Sequence, residues 1–295
     1  MIRDNQGSIH PDLILGDVLP SYAEPQNSNH LFVSLSELVM ERIFYHPAIE
    51  KVIDQLSDIE KSSLEAMLDG QTVAEHFVST LTAAIMASIE ETHKTVRVSL
   101  SSADSYAFCS LLGGVIEQEE VNPLLGLRGV SRFASDTYAD CFALECSVIK
   151  ALREQGVDVE IVVPFVRGLS DAAKINDLLA EQGLPRGLGG LKVFFSCDIP
   201  SSILLAERLL HYFDGMAVNV DNITQFALGV DKANEALEHQ FNPESEAVLT
   251  LIDLAVKAAS QTKKPVLIVT HALSEYPKLQ NQLVDYSNIQ TVVVM

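Results

Sequence analysis

Short apolar runs recur along the chain at Leu31–Leu35, Thr95–Leu100, Leu127–Val130, Val159–Phe165, Lys192–Cys197, Gly215–Val220, Pro265–Thr270 and Ile289–Met295. Each is rich in Val, Ile, Leu or Phe and lacks polar alternation, as strands of a parallel sheet covered on both faces require. Helical patterns lie between them. Ser170 to Gly183 opens on a capping serine and closes on a glycine. Ser201 to Phe213 carries Ile203, Leu204, Leu205, Leu209, Leu210 and Phe213, and Ala48 to Thr92 has room for at least two helices. Eight strands alternating with helices predict an α/β fold, a (β/α)8 TIM barrel over residues 31–295. The sequence stops on the eighth strand, so the usual eighth helix is expected to be missing. Residues 1–30, or a partner subunit, are expected to cover that strand. Rich in Pro, Asn, Ser and Asp, residues 1–30 read as an N-terminal extension without a core of its own.

Composition narrows the function classes. The apolar fraction of 47% excludes general disorder. With 20 Lys and Arg against 40 Asp and Glu, the net charge is −20, which repels phosphate backbones and excludes nucleic acid as a partner. No apolar run approaches the roughly 20 residues of a membrane span. Met1 to Pro20 lacks the basic start and apolar core of a signal peptide, so a cytoplasmic protein is expected. Cys109, Cys141, Cys146 and Cys197 form no CxxC pair; we expect buried, reduced thiols, with no disulfide or zinc. His10, His30, His76, His93, His211 and His239 have no metal-ligand spacing. Glu117 to Glu120 reads as a solvated acidic loop, His46-Pro47 as the start of a helix, and Gly183 to Gly190 as a connector.

Several segments together carry a resemblance. They are Asn122-Pro-Leu-Leu-Gly-Leu-Arg-Gly-Val-Ser-Arg-Phe133, Cys141-Phe-Ala-Leu-Glu-Cys146, Val159-Glu-Ile-Val-Val-Pro-Phe-Val-Arg167, Cys197-Asp-Ile-Pro200, Phe213-Asp-Gly215 and Ile223-Thr-Gln-Phe-Ala-Leu-Gly-Val-Asp231. In order and spacing they resemble the C-terminal PEP/pyruvate-binding barrel of phosphoenolpyruvate synthases, a barrel shared with pyruvate phosphate dikinase and Enzyme I of the sugar phosphotransferase system. The resemblance implies phosphoryl transfer between a phosphohistidine and pyruvate, with Mg2+, at the C-terminal ends of the strands, in a homodimer. Two further domains normally supply ATP binding and the histidine; this chain is expected to have no room for them.

Residue by residue, the resemblance implies a dismantled site. The family arginine on the second strand falls at Ser99, with Arg97 two residues deeper, and a family lysine falls at Asp104. Arg128, Arg132 and Arg167 match the pattern. The family metal glutamate is Asp198, whose oxygens are withdrawn by roughly 1.5 Å, one bond length. The family Asn-Asp pair is inverted to Asp221-Asn222, and strand alternation is expected to turn Asp221 away from Asp198. A family arginine becomes Lys232, which keeps the charge and loses the fork. The proton-donating cysteine becomes Val269, which transfers no proton. His271, two residues on, is the group titrating near neutrality expected at the mouth. The substrate-binding candidates are therefore Arg128, Arg167, Ser99 and Lys232. The metal candidates, weakened or lost, are Asp198, Asp221 and Asn222. His271 is the sole catalytic candidate.

Three functions follow. The first is a pseudoenzyme that binds a protein partner or a small anionic metabolite, without a cofactor. The second is an Mg2+-dependent lyase or phosphotransferase acting on PEP, pyruvate or another 2-oxo acid. The third is one subunit of a split synthase, which would need the missing cysteine.

Overall fold

The computed structural model describes residues 8–21 and 28–295. Eight parallel strands close into a barrel in chain order: β1 Leu15–Leu19, β2 His30–Ser34, β3 Thr95–Ser99, β4 Val159–Val163, β5 Lys192–Cys197, β6 Gly215–Asn219, β7 Val266–Thr270 and β8 Ile289–Val294. The expected eight-stranded TIM barrel is present, with two differences in which segments supply its strands. Leu127–Val130 is not a strand; it leads into a short helix, Val130–Phe133. The place is filled by β1, which lies within residues 1–30 and pairs with both β2 and β8. The barrel therefore begins before residue 31, and β8 is flanked by β1 and β7. Residues 1–7 and 22–27 of the expected extension lie outside the described residues.

The helices form the outer layer. Ala48 to Thr92 holds a 3-10 turn and two helices, Asp58–Leu68 and Val73–Ala87, each opened by a reciprocal Ser/Thr–Glu capping box. The helix expected from Ser170 runs Leu169–Glu181 and has Gly168, not serine, at its N-cap. Ser201 to Phe213 is split into Pro200–Leu204 and Ala206–Leu209. Gly183 to Gly190 is the connector into β5.

The wall between strands and helices is the main core. Cys141, Cys146 and Cys197 are buried in it, and burial raises all three thiols; Cys109 is exposed, against expectation. A second core fills the barrel itself with Phe32, Val162, Phe194, Ala217, Leu267, Val269 and Val293. Gly215 makes room for it, since a Cβ there would run into the Phe194 ring. Below this layer the register places Arg97 beside Glu160 and Glu160 beside Lys192. Above it lies the mouth.

Candidate functional site at the barrel mouth

The mouth has two levels. An inner cavity of about 110 Å3 is lined by Ser99, Arg128, Asp198, Asn222, Val269 and His271, with Lys232 at its edge. It shares Arg128, Asn222, Lys232 and His271 with an outer vestibule of about 980 Å3. Vestibules of that size suit small molecules, roughly 300–1,000 Å3.

Arg128 is 7% exposed and lies in the loop before Val130–Phe133, not on a strand. Its Nη2 donates to the Ser102 carbonyl at 2.7 Å and its Nη1 to the Leu124 carbonyl at 3.4 Å. Its Cζ stands 3.8 Å from the centre of the Phe165 ring. Its Nε has no partner, and no carboxylate pairs with the guanidinium among the described residues. Burial lowers its pKa, opposed by Asp198 and Asp104 nearby.

Two backbone features hold this stack. Phe165 has a φ of +51°, uncommon for a bulky residue. Its N–H donates to Asp198 Oδ2 at 2.9 Å. Gly129 has a φ of +55°, and a Cβ there would stand 2.5 Å from both the Phe165 Cβ and the Pro164 carbonyl oxygen. Arg167 braces the same loop by donating to the carbonyls of Arg128 at 3.0 Å and Gly126 at 3.2 Å. It supports Arg128 rather than lining the two cavities.

Asp198 and Asp221 are both buried and are tied to different partners. Asp198 Oδ1 accepts from Asn222 Nδ2 at 2.7 Å. Asp221 Oδ2 accepts from the His271 backbone N–H at 3.0 Å and from its Nδ1 at 2.6 Å. Asp221 does turn to a different partner, but not by strand alternation. Residues 220–222 open the helix Val220–Leu228, capped by Asn219, and successive residues there splay around the helix axis. Carboxylates in this first turn are favoured by the helix dipole.

Mg2+ demands near-octahedral oxygen ligands at about 2.0–2.1 Å. The residues present do not fit it. Both Asp198 oxygens accept hydrogen bonds, the neighbouring family carboxylate is the amide of Asn222, and Asp221 is committed to His271. Among the described residues no group of three His, Cys, Asp or Glu side chains is arranged to hold a metal.

The remaining expected positions are accounted for. Val269 is 4% exposed and gives the inner cavity an apolar wall where the resemblance expects a thiol. Ser99 Oγ donates to the Leu100 carbonyl at 3.2 Å. Lys232 is exposed, with its backbone N–H on Gln225. Arg97 is far below, in the barrel floor. Arg132 is buried in a forked pair with Glu117, which also bonds His46 at 2.8 Å. Glu117 is thus a buried anchor, not a solvated loop residue. Glu120 likewise accepts from Leu127 N–H and Ser105 Oγ. Sequence reading missed Glu37, on the helix Leu35–Arg42, which lines both levels. Burial raises its carboxyl, while His271 and Lys232 act the other way.

The family described as PEP-utilising enzyme, PEP-binding domain, matches residues 45–284. Phosphoenolpyruvate synthase of Escherichia coli K12 is 37% identical over 247 residues, 82% of this chain and 31% of the relative. The synthase of Pseudomonas aeruginosa UCBPP-PA14 is 38% identical, over 81% of this chain and 29% of its own length. That of Deinococcus radiodurans is 33% identical, over 90% and 35%. The chain thus spans about a third of the length of the curated relatives it matches. No helix among the described residues is long and apolar enough to cross a membrane. By sequence and by its closed barrel, the chain belongs to the PEP-binding domain family of the PEP-utilising enzymes.

Proposed function

We propose that this barrel is a pseudoenzyme whose mouth binds a small carboxylate and which forms no PEP. Arg128 carries the reading. A largely buried guanidinium that lines a cavity and has no ion pair among the described residues suits a planar anion. Removal of the chemistry stands beside it: the family acid is Val269, and Asp198 is engaged by Asn222 and Phe165. A group that cannot donate a proton leaves the enolate carbon without its acid. The same reading has a cytoplasmic homodimer, following the synthase resemblance, that acts through its ligand or a protein partner.

The test has two arms. Calorimetric titration with pyruvate should show binding that Arg128→Met abolishes. Phosphohistidine domains from a true synthase should yield no PEP with this barrel; turnover that disappears in Arg128→Ala would overturn the proposal. The Asp221–His271 pair favours a second reading, an enzyme acting on PEP, pyruvate or another 2-oxo acid. A buried carboxylate on Nδ1 fixes the imidazole as it does in general bases. That reading requires turnover of a 2-oxo acid that is lost in His271→Gln.

A further inference from the structure

We infer that the ligand of this mouth is a short hydroxycarboxylate, its hydroxyl met by serines at the strand ends, rather than a 2-oxo acid. The inference rests on the carboxylate-binding role proposed for Arg128 and adds the second functional group that the inner cavity recognises.

Strand alternation builds the recognising layer. Phe32, Phe194 and Ala217 point into the barrel and fill it. Two residues further along the same strands, the same face carries Ser34, Ser196 and Asn219. Ser99 stands beside Ser34 in the register of β2 with β3, and Val269 beside Asn219 in that of β6 with β7. All five line the inner cavity. The apolar plug is thus roofed by three hydroxyls, an amide and one isopropyl group. The charged groups of the cavity lie beyond the strand ends, in the loops and helices that follow them.

These neutral groups offer hydrogen bonds of both kinds. Ser99 gives its proton to the Leu100 carbonyl, so its Oγ has only lone pairs left for the cavity. Ser196 is 6% exposed, and its hydroxyl has no hydrogen bond among the described residues. A buried hydroxyl in that state calls for a partner from the cavity it lines. Asn219 Oδ1 accepts from the Asn222 N–H at 3.0 Å, which leaves Nδ2 as a donor with no acceptor among the described residues. A keto oxygen only accepts, and at Ser99 it would set lone pair against lone pair. A hydroxyl serves both sides: it donates to Ser99 and accepts from Ser196 or Asn219. Val269 adds an apolar contact for the carbon chain. The inner cavity, at about 110 Å3, admits only a few carbons.

Four three-carbon acids test this by calorimetry on the unmodified protein: propionate without a further oxygen, pyruvate with a keto group, lactate with one hydroxyl and glycerate with two. The better enantiomer of glycerate should bind about tenfold tighter than propionate, with lactate between them and pyruvate within about twofold of propionate. In the double variant Ser99→Ala, Ser196→Ala the glycerate preference should shrink to within about threefold. Propionate affinity should stay unchanged there, which also reports that the site is intact. Propionate or pyruvate binding as tightly as glycerate would overturn the inference. So would a full glycerate preference in the double variant. If propionate and pyruvate bind through Arg128 and the hydroxy acids bind no tighter, this inference fails and the carboxylate site stands. If no probe binds, both fail together.

Discussion

Two arginines are buried in the same barrel, one at each end, and their surroundings are opposite. At the floor, Arg97 is 2% exposed; its Nε donates to Glu160 at 2.8 Å and its Nη2 to Gln290 at 2.6 Å. Lys192 donates to the other Glu160 oxygen at 2.8 Å. His30, on the neighbouring strand, is held down to about 4 by burial and then by Arg97, so it stays neutral there. At the mouth, Arg128 has two carbonyls and an aromatic face, and no carboxylate pair among the described residues. The floor cation is paired with a carboxylate of the barrel, although its Nη1 has no partner, whereas the mouth cation has no carboxylate pair among the described residues. In barrels of this kind the C-terminal face carries function and the opposite face carries stability. Here the two ends are told apart by whether the buried cation is answered within the fold.

The sharpest way to break this contrast is to remove the answering groups. Glu160→Gln leaves Arg97 buried without its counter-charge and should cost about 3–5 kcal/mol in urea unfolding. Arg128→Met removes a cation that has no paired carboxylate and should change stability by no more than about 1 kcal/mol, because an isosteric apolar group also escapes the desolvation cost. Equal losses in the two variants would show that the mouth is as structural as the floor.

A third buried charge extends the comparison to the opposite sign. Glu145 is 1% exposed, and its carboxylate accepts from the Ser101 N–H at 2.9 Å and the Tyr138 hydroxyl at 2.8 Å, with no ion pair among the described residues. Burial pushes its pKa from 4.5 up to about 7. The folded state therefore binds this proton more tightly than the unfolded chain does. Stability from this group is complete below about pH 4.5 and falls as pH rises through 7, by about 3 kcal/mol over the interval. Urea midpoints across that range should carry this slope, and Glu145→Gln should remove it. A slope unchanged in Glu145→Gln would assign the pH dependence to other groups.

The fold was legible because apolar continuity marks buried parallel strands, and seven of the eight strands obey it. β1 does not: Leu15-Gly-Asp-Val-Leu19 sets Gly16 beside Asp17 and so reads as loop. Leu127–Val130 reads as a strand because Arg128 and Gly129 sit between apolar residues; the positive φ of Gly129 and its close approach to Phe165 are tertiary features that no local pattern reveals. At the site, the motif positions identified Arg128, Asp198, Asn222 and His271 as mouth residues, and they are. Partnerships were less legible. Strand alternation does not apply to Asp221, because β6 ends at Asn219 and a helix begins. Glu117 reads as one of a run of solvated acids, yet His46, 71 positions away, meets it in the core. Ion pairs between distant segments leave no periodic trace.

The smallest expected effect lies with the pair that the motifs misplaced. Asp221 is 4% exposed, but the imidazole it holds is half open, with its side chain 52% exposed. Solvent screens that pair, as it cannot screen Arg97 and Glu160, whose side chains are 3% and 4% exposed. Asp221→Asn keeps one oxygen for the His271 backbone N–H and loses the charge facing Nδ1. The cost should be about 1 kcal/mol, and His271→Ala should cost about half as much. A double-mutant cycle by urea unfolding should return a coupling below about 1 kcal/mol for Asp221 with His271, well under that for Arg97 with Glu160. Comparable couplings would mean that the His271 ring is held as a structural strut. A small coupling means that Asp221 orients the ring at little cost to the fold, which leaves the imidazole beside Arg128 and Lys232 able to meet whatever enters the cavity.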